Sequence, residues 1–393
     1  MTAPAADPAR ILVVDDTEAN RDMLTRRLRR AGHAVEMVAS GPEALARLGA
    51  EAFDLVLLDI MMPDMNGYEV LARLKGDEAL RHVPVIMITA ITDMDSVVRC
   101  IELGAEDHLP KPFNATLLKA RIDASLAKKR LRDREQVVAQ AMARELDIAR
   151  NIQASFLPPA LPRIPGYELA ARFRPARQVA GDFYDAFPLP APGRTALVVA
   201  DVCDKGVGAA LFMAVFRSLL RVVTQEAYVG APDLSDARQM PRTLQVLSDY
   251  NARTHGSANM FATIFFAVLD QGQGRLTYLN AGHDAPYLLR ADGGRERLPP
   301  TGPAMGLLEG LVFGVEEREF LPGDRLLAFT DGVTDARSAA GEVFGEARLE
   351  GLLAGDGGAD GLVSRIDAAL TGHGAGVDPF DDVTLLALAR EPA

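Results

Sequence analysis

Cysteine is nearly missing from this chain. Its two copies, Cys100 and Cys203, lie too far apart to suggest a disulfide framework or a metal knuckle, and they fit a reducing compartment. Histidine is scarce as well, six scattered residues with no His-Glu-x-x-His arrangement, so metal chemistry here is expected to rest on carboxylates. No glycine-rich dinucleotide fingerprint follows the first strand-like run, and no Gly-Lys-Ser/Thr accompanies Gly206 and Gly208, which argues against a nucleotide cofactor. Positive charge is never concentrated. With a net charge of -12, no long Lys/Arg block and no zinc-finger spacing, a nucleic-acid partner is not expected. The opening MTAPAADPAR lacks the basic and apolar regions of a signal peptide, and the sequence is read as having no apolar run of about 18 residues. The expectation is a cytoplasmic protein with no membrane partner.

What is present can build cores. The chain is 48% apolar and 24% charged, with 34 glycines and 24 prolines for turns, and its 393 residues exceed what one core usually serves. Residues 10 to about 125 alternate short apolar runs (11–14, 35–38, 55–58, 85–88) with helical periodicity such as Met23, Leu24 and Leu28, the pattern of a doubly wound parallel α/β sheet. Ligands of such a sheet gather at the carboxyl ends of its strands, where Asp15, Asp16, Asp59 and Thr89 fall. From residue 117 to about 155 there is no Gly or Pro, and helix formers dominate, so one long helix is expected. Leu131, Val138, Met142, Ile152 and Phe156 give it part of a heptad-like seam, weakened by Glu145 and Ala149, and a helical linker that pairs two subunits is preferred over a surface helix.

Beyond it, strand-like segments (167–173, 195–202, 261–269, 275–279, 325–330, 383–389) recur between turns, with a hairpin signal at residues 270–274. A largely antiparallel core with flanking helices is expected, with residues 208 to about 224 as a helix buried on most faces. The domain expectation is 1–125, a helical linker and possible dimerisation element over 126–157, and 158–393.

Three carboxylates on one sheet edge, Asp15, Asp16 and Asp59, would repel one another unless a hard divalent cation sat among them. Thr89 could donate to a bound phosphoryl oxygen, and Lys111 could pair with another. Over residues 9–125 the blocks ILVVDD, LVLLDIMMPDMNG, VPVIMITA and LPKPF resemble the response regulator receiver family. The resemblance implies that Asp59 accepts a phosphoryl group from a histidine kinase or small phosphodonor, and that Asp15 and Asp16 with Asp59 hold Mg²⁺. It also implies a switch formed by Thr89 and Lys111, with His108 standing where the family usually has Tyr or Phe.

The downstream half carries isolated aspartates in turn contexts: residues 181–185, Asp201, Asp331, and Asp381-Asp382. Four at strand ends could converge on two Mg²⁺ or Mn²⁺ ions, which lower the pKa of a bridging water and orient a phosphate monoester. On that ground a phosphatase, a nuclease and a cyclase stay open. Residues 145–391 resemble the bacterial metal-dependent protein phosphatases of sporulation and stress signalling, through LDIARNIQASFLPP, PARQVAGDFYDAF, VVADVCDKGVGAALFMA, NMFATIFFAVLD, LTYLNAGHDAPYLL, LAFTDGVTDA and FDDVTLLAL. The resemblance implies an α/β-β/α sandwich of two antiparallel sheets with a bimetal centre at one edge. Asp182, Asp201, Asp331, Asp381 and the carbonyl of Val202 would be its ligands, with Asp185 and Asp382 in support. Ala180 replaces the first glycine of the usual double-glycine turn, and Asp204 stands where glycine is common. The implied reaction is hydrolysis of protein phosphoserine or phosphothreonine, with a phosphorylated anti-sigma-factor antagonist as implied substrate; the helical linker makes a homodimer the expected assembly. A noncatalytic phosphorylation-responsive scaffold is the alternative. Asn280 and His283 are read as holding a turn by hydrogen bonds, and Cys203 as packing.

Overall fold

The computed structural model describes residues 8–90, 94–231, 234–355 and 357–392. It divides into two compact units, 1–142 and 143–393. The first opens with β1 (Arg10–Val14), α1 (Glu18–Arg30), β2 (Ala34–Val38), α2 (Gly41–Ala50) and β3 (Leu55–Asp59). It continues through α3 (Gly67–Gly76), β4 (Val85–Thr89), α4 (Met94–Glu102) and β5 (Asp107–Pro110) to α5 (Ala115–Phe156). The strands form one parallel sheet in the order β2-β1-β3-β4-β5. Its central strands are apolar on both faces because helices cover both: Leu12, Val56 and Leu58 pack under α2 and α3, whereas Ile11, Leu57 and Ile86 pack with Leu24, Leu118 and Ile122 of α1 and α5. Reading residues 117–155 as a helix was short by two residues at the start and one at the end, and α5 runs unbroken into the segment 126–157. Leu131, Val138, Met142 and Ile152 are all exposed along it.

The second unit has the strands β6 (Tyr167–Arg174), β7 (Phe183–Pro188) and β8 (Arg194–Val202), then helices α6 (Val207–Gly230) and α7 (Asp236–His255). Next come β9 (Ala262–Asp270), β10 (Arg275–Ala281), β11 (Tyr287–Leu289), β12 (Arg295–Arg297), β13 (Glu316–Glu319) and β14 (Arg325–Phe329). The helices α8 (Gly345–Leu353) and α9 (Ala359–His373) precede the last strand, β15 (Val383–Arg390). Two five-stranded antiparallel sheets result, in the orders β13-β10-β9-β8-β7 and β12-β11-β14-β15-β6. The side-chain alternation of a strand sorts three apolar layers. Leu197, Val199, Phe265, Tyr278 and Leu386 fill the space between the sheets. Val198, Ile264 and Phe266 face α6 and α7 through Met213, Phe216 and Leu244. Leu327, Leu385 and Ala387 face α8 and α9 through Leu349, Leu362 and Ile366. This is the expected α/β-β/α sandwich, and the hairpin at 270–274 pairs β9 with β10 from Asp270 opposite Arg275.

Three sequence readings need correction. Residues 183–185 are not part of a turn but the start of β7, since Phe183 and Asp185 alternate with Tyr184 across the sheet. The helix expected to be buried on most faces is α6, and it is buried along one stripe only: Ala209, Met213, Phe216 and Leu220 enter the core, whereas Leu211, Val222 and Val229 face outward. For the same reason α6 is long and apolar enough to cross a membrane, contrary to the reading that no such run exists. Its buried stripe packs on the sheet, and Arg217 lies 3.0 Å from Asp185 of β7.

Candidate functional site

In the first unit Asp59 ends β3, Asp15 follows β1, Thr89 ends β4 and Lys111 follows β5. One carboxylate oxygen from each of Asp15, Asp16 and Asp59 lies within 4.8 Å of the others, close enough to share a cation. Lys111 Nζ stands 2.9 Å from Asp15 Oδ2 and 2.9 Å from Asp59 Oδ2. Burial pushes the Asp59 carboxyl above its ordinary range, Asp15 adds to the shift and Lys111 opposes it. Asp59 Oδ1 is buried without a hydrogen-bond partner among the described residues, an acceptor left for something other than protein. Thr89 is buried opposite Pro110 in the β4–β5 register, and the Lys111 N–H donates to the Thr89 carbonyl at 2.7 Å. The parallel ladder therefore places threonine and lysine on one edge with Asp59. His108 lies two residues before Pro110 on β5, opposite Met87, with Nδ1 3.8 Å from Asp107 Oδ1.

In the second unit all four proposed ligands sit at strand ends. Asp182 immediately precedes β7, Asp201 is the penultimate residue of β8, Asp331 follows β14 by two residues and Asp381 precedes β15 by two. The strands come from both sheets, so the four converge at one edge of the sandwich. Asp182 is buried, and its Oδ2 accepts from Thr330 Oγ1 at 2.6 Å and Thr384 Oγ1 at 2.9 Å. Even so, burial and then the charge of Asp201 hold its carboxyl well above the ordinary range. Asp201 is pushed up to about 7 by burial, by Asp331 and by other acids of the cluster. Asp331 reaches about 6, through burial and then Asp381, Asp284 and Asp335. Carboxylates that resist ionisation together at one edge are what a divalent cation would relieve, and an all-oxygen donor set suits Mg²⁺ or Mn²⁺.

The backbone here is tightly threaded. A Cβ on Gly181 would stand 2.8 Å from the Val202 carbonyl oxygen, and one on Gly332 would collide with the Asp382 carbonyl. Ala180 is tolerated because its φ is not positive; Asp204 does adopt the left-handed region, with φ 74°, where glycine would be strain-free.

The two supporting aspartates are engaged elsewhere. Asp185 pairs with Arg217 and Arg221, and Asp382 accepts from the N–H groups of Ala176 (2.7 Å) and Gly181 (2.8 Å). Asn280 accepts from the His283 N–H at 2.8 Å and donates to the Leu298 carbonyl, and His283 Nδ1 lies 2.8 Å from Thr263 Oγ1, so both hold a buried turn. Cys203 Sγ accepts from the Phe261 N–H. Sequence reading missed Thr330 and Thr384, although each lies within a quoted motif block. It also missed Lys205, whose Nζ is 2.6 Å from Asp381 Oδ2.

A parallel sheet with three acids and a lysine at its edge, followed by a two-sheet sandwich with four acids at its rim, defines a two-domain chain of receiver and PP2C-type phosphatase architecture. Residues 191–391 match the family model of stage II sporulation protein E (SpoIIE), and residues 11–123 match that of the response regulator receiver domain. The chain belongs to the SpoIIE family and carries a receiver domain at its amino end. It is 42% identical over 263 residues to Protein IcfG of Synechocystis sp., covering 63% of this chain and 41% of that protein. It is 43% identical over 114 residues to the response regulator PleD of Caulobacter vibrioides, covering 29% of this chain and 25% of that one. The chain thus spans less than half the length of either relative. Among solved structures, the SiaA-PP2C domain of Pseudomonas aeruginosa shares the fold, with TM-score 0.53 and 20% identity over 64% of this chain and 98% of that domain.

Proposed function

We propose that the chain is a response regulator in which phosphorylation of Asp59 controls hydrolysis of phosphoserine or phosphothreonine in a partner protein by the second domain. The observation that carries this reading is the placement of Asp182, Asp201, Asp331 and Asp381 at strand ends on one sandwich edge, where burial and neighbouring acids raise the carboxyls of Asp182, Asp201 and Asp331. In the proposal these four and the Val202 carbonyl hold two Mn²⁺ or Mg²⁺ ions, which supply charge neutralisation and activation of water when bound. The chain's own part is positional. Thr330 and Thr384 fix one oxygen of Asp182, while Lys205 holds Asp381. Asp382 spends its carboxylate on the loop before Asp182, so it is Asp381 that faces the cluster.

In the receiver, Asp59 is the phosphoacceptor, Asp15 and Asp16 hold Mg²⁺ with it, and Thr89, Lys111 and His108 form the switch. A histidine kinase or small phosphodonor supplies the phosphoryl group. A phosphorylated anti-sigma-factor antagonist is the substrate, since removing about two charges can change which surface it pairs with. The exposed seam of Leu131, Val138, Met142 and Ile152 pairs two copies into a cytoplasmic homodimer. The test is phosphate release from candidate phosphoproteins with Mn²⁺, beside Asp331→Asn. A loss of roughly a hundredfold is expected, the scale for removing one preorganised electrostatic group. Equal rates would refute the mechanism and favour a noncatalytic scaffold.

A further inference from the structure

Gln153 lies on the last turn of α5, within the second unit, and its side chain is buried although Asn151, Ile152, Ala154 and Ser155 around it are exposed. A buried amide needs partners, and this one finds both on a single residue. Its Nε2 donates to the Ala180 carbonyl at 2.6 Å, and its Oε1 accepts from the Ala180 N–H at 3.0 Å. That is how one strand reads another, here done by a side chain on a backbone that belongs to no sheet. Ala180 is itself fully buried, in the loop between β6 and β7, two residues before Asp182.

The loop has few other ties. Asp382 holds the N–H groups of Ala176 and Gly181, Gly181 is pressed on the Val202 carbonyl, and Asp182 then meets Thr330 and Thr384. Leu157, one turn on from Gln153, packs against the core under α6. The end of α5 is thereby fastened to the backbone that sets the Asp182 carboxylate.

We infer that Gln153 is a positioning residue for the second site: its two-way bond with Ala180 fixes the Asp182 loop, so that the placement of the α5 end sets the readiness of the carboxylate cluster for a cation. The inference rests on the metal-site reading proposed above and adds the contact through which the helix would act on it. Loss of the amide leaves a buried N–H and a buried C=O without partners, and the loop must move to recover them.

The test uses the full chain with Gln153→Met, which keeps length without the bonds, and Gln153→Glu, which can still accept from Ala180 but not donate to its carbonyl. Asn151→Ala, two residues earlier on the exposed side of the helix, is the control. Hydrogen exchange of residues 176–182 and calorimetric titration with Mn²⁺ alone are read for each, with receiver labelling by a small phosphodonor as the check that the chain is folded. Expected are faster exchange confined to that segment and Mn²⁺ binding weakened roughly tenfold, about 1.4 kcal/mol, in Gln153→Met. A smaller loss is expected in Gln153→Glu and none in Asn151→Ala. Unchanged exchange and unchanged Mn²⁺ affinity in Gln153→Met would overturn the inference. If the loop loosens as expected while the wild-type chain releases no phosphate, the clamp stands and the phosphatase reading fails.

Discussion

The two acid clusters use the same side chain at the same kind of place, the end of a strand, yet the chain balances them in opposite ways. In the receiver a lysine stands between the acids: Lys111 Nζ is 2.9 Å from both Asp15 and Asp59. In the second domain the one lysine at hand, Lys205, pairs with Asp381 at the rim, and buried Asp182 lies against half-buried Asp201. A buried carboxylate is stable as an ion only when another charge compensates it. The first cluster therefore carries much of its compensation within the fold, and the second leaves it to be supplied.

Breaking the receiver's balance has the largest expected effect. Lys111→Ala strands Asp15 and Asp59 together, and removing one partner of a buried ion pair costs about 3–5 kcal/mol. The urea midpoint of the receiver transition should fall by a corresponding amount and recover in part with Mg²⁺; an unchanged midpoint would mean that the lysine does not compensate the acids.

The reverse is expected in the second domain. Asp331 is held at about 6, so in cation-free protein the folded state retains a proton that the unfolded chain has released. That contribution is complete below about pH 4 and is lost as pH rises through 6, so the acid cluster costs stability at neutral pH. Asp331→Asn, expected to lose most of its turnover, should be more stable than wild type in EDTA at pH 7.5 by about 1–3 kcal/mol, less whatever solvent screens, and the gain should vanish near pH 4. Thermal melts at the two pH values decide it, and a destabilised variant at pH 7.5 would remove the idea of unrelieved repulsion.

A smaller effect is expected in the loop after β8. Asp204 holds φ 74°, a conformation that costs a non-glycine residue about 1 kcal/mol or less when it is Asp. Asp204→Gly should raise the melting temperature slightly and leave Mn²⁺ binding in place; weaker binding would show that the Asp204 charge, rather than its backbone, is what matters.

The sequence made the acid clusters legible because each of these aspartates sits in a short block at or beside a strand end, where a local pattern and a local position coincide. The sheets followed from the same alternation, except where a strand carried an aspartate in its middle, as Asp185 does in β7, or was only three or four residues long, as β5, β11, β12 and β13 are. What stayed hidden is long-range and polar. Thr330 and Thr384 reach Asp182 across 148 and 202 residues, and Gln153 reaches Ala180 across 27. No periodicity announces such a pairing, since it is set by how two sheets stack rather than by what stands next to what. The outward apolar residues of α6 misled in the other direction: composition alone cannot separate a stripe that enters a core from one that does not.

In the proposed function, charge placed in the first cluster alters chemistry at the second. The most direct measurement follows Mn²⁺-dependent phosphate release by the full chain before and after treatment with a small phosphodonor, beside Asp59→Ala, with intact-mass detection of one labile phosphate in the wild type and none in the variant. The expected result is a several-fold change in the wild-type rate, an increase if phosphorylation switches the domain on, and no change in Asp59→Ala. A wild-type chain that carries the aspartyl phosphate and releases phosphate at its original rate would contradict the claim.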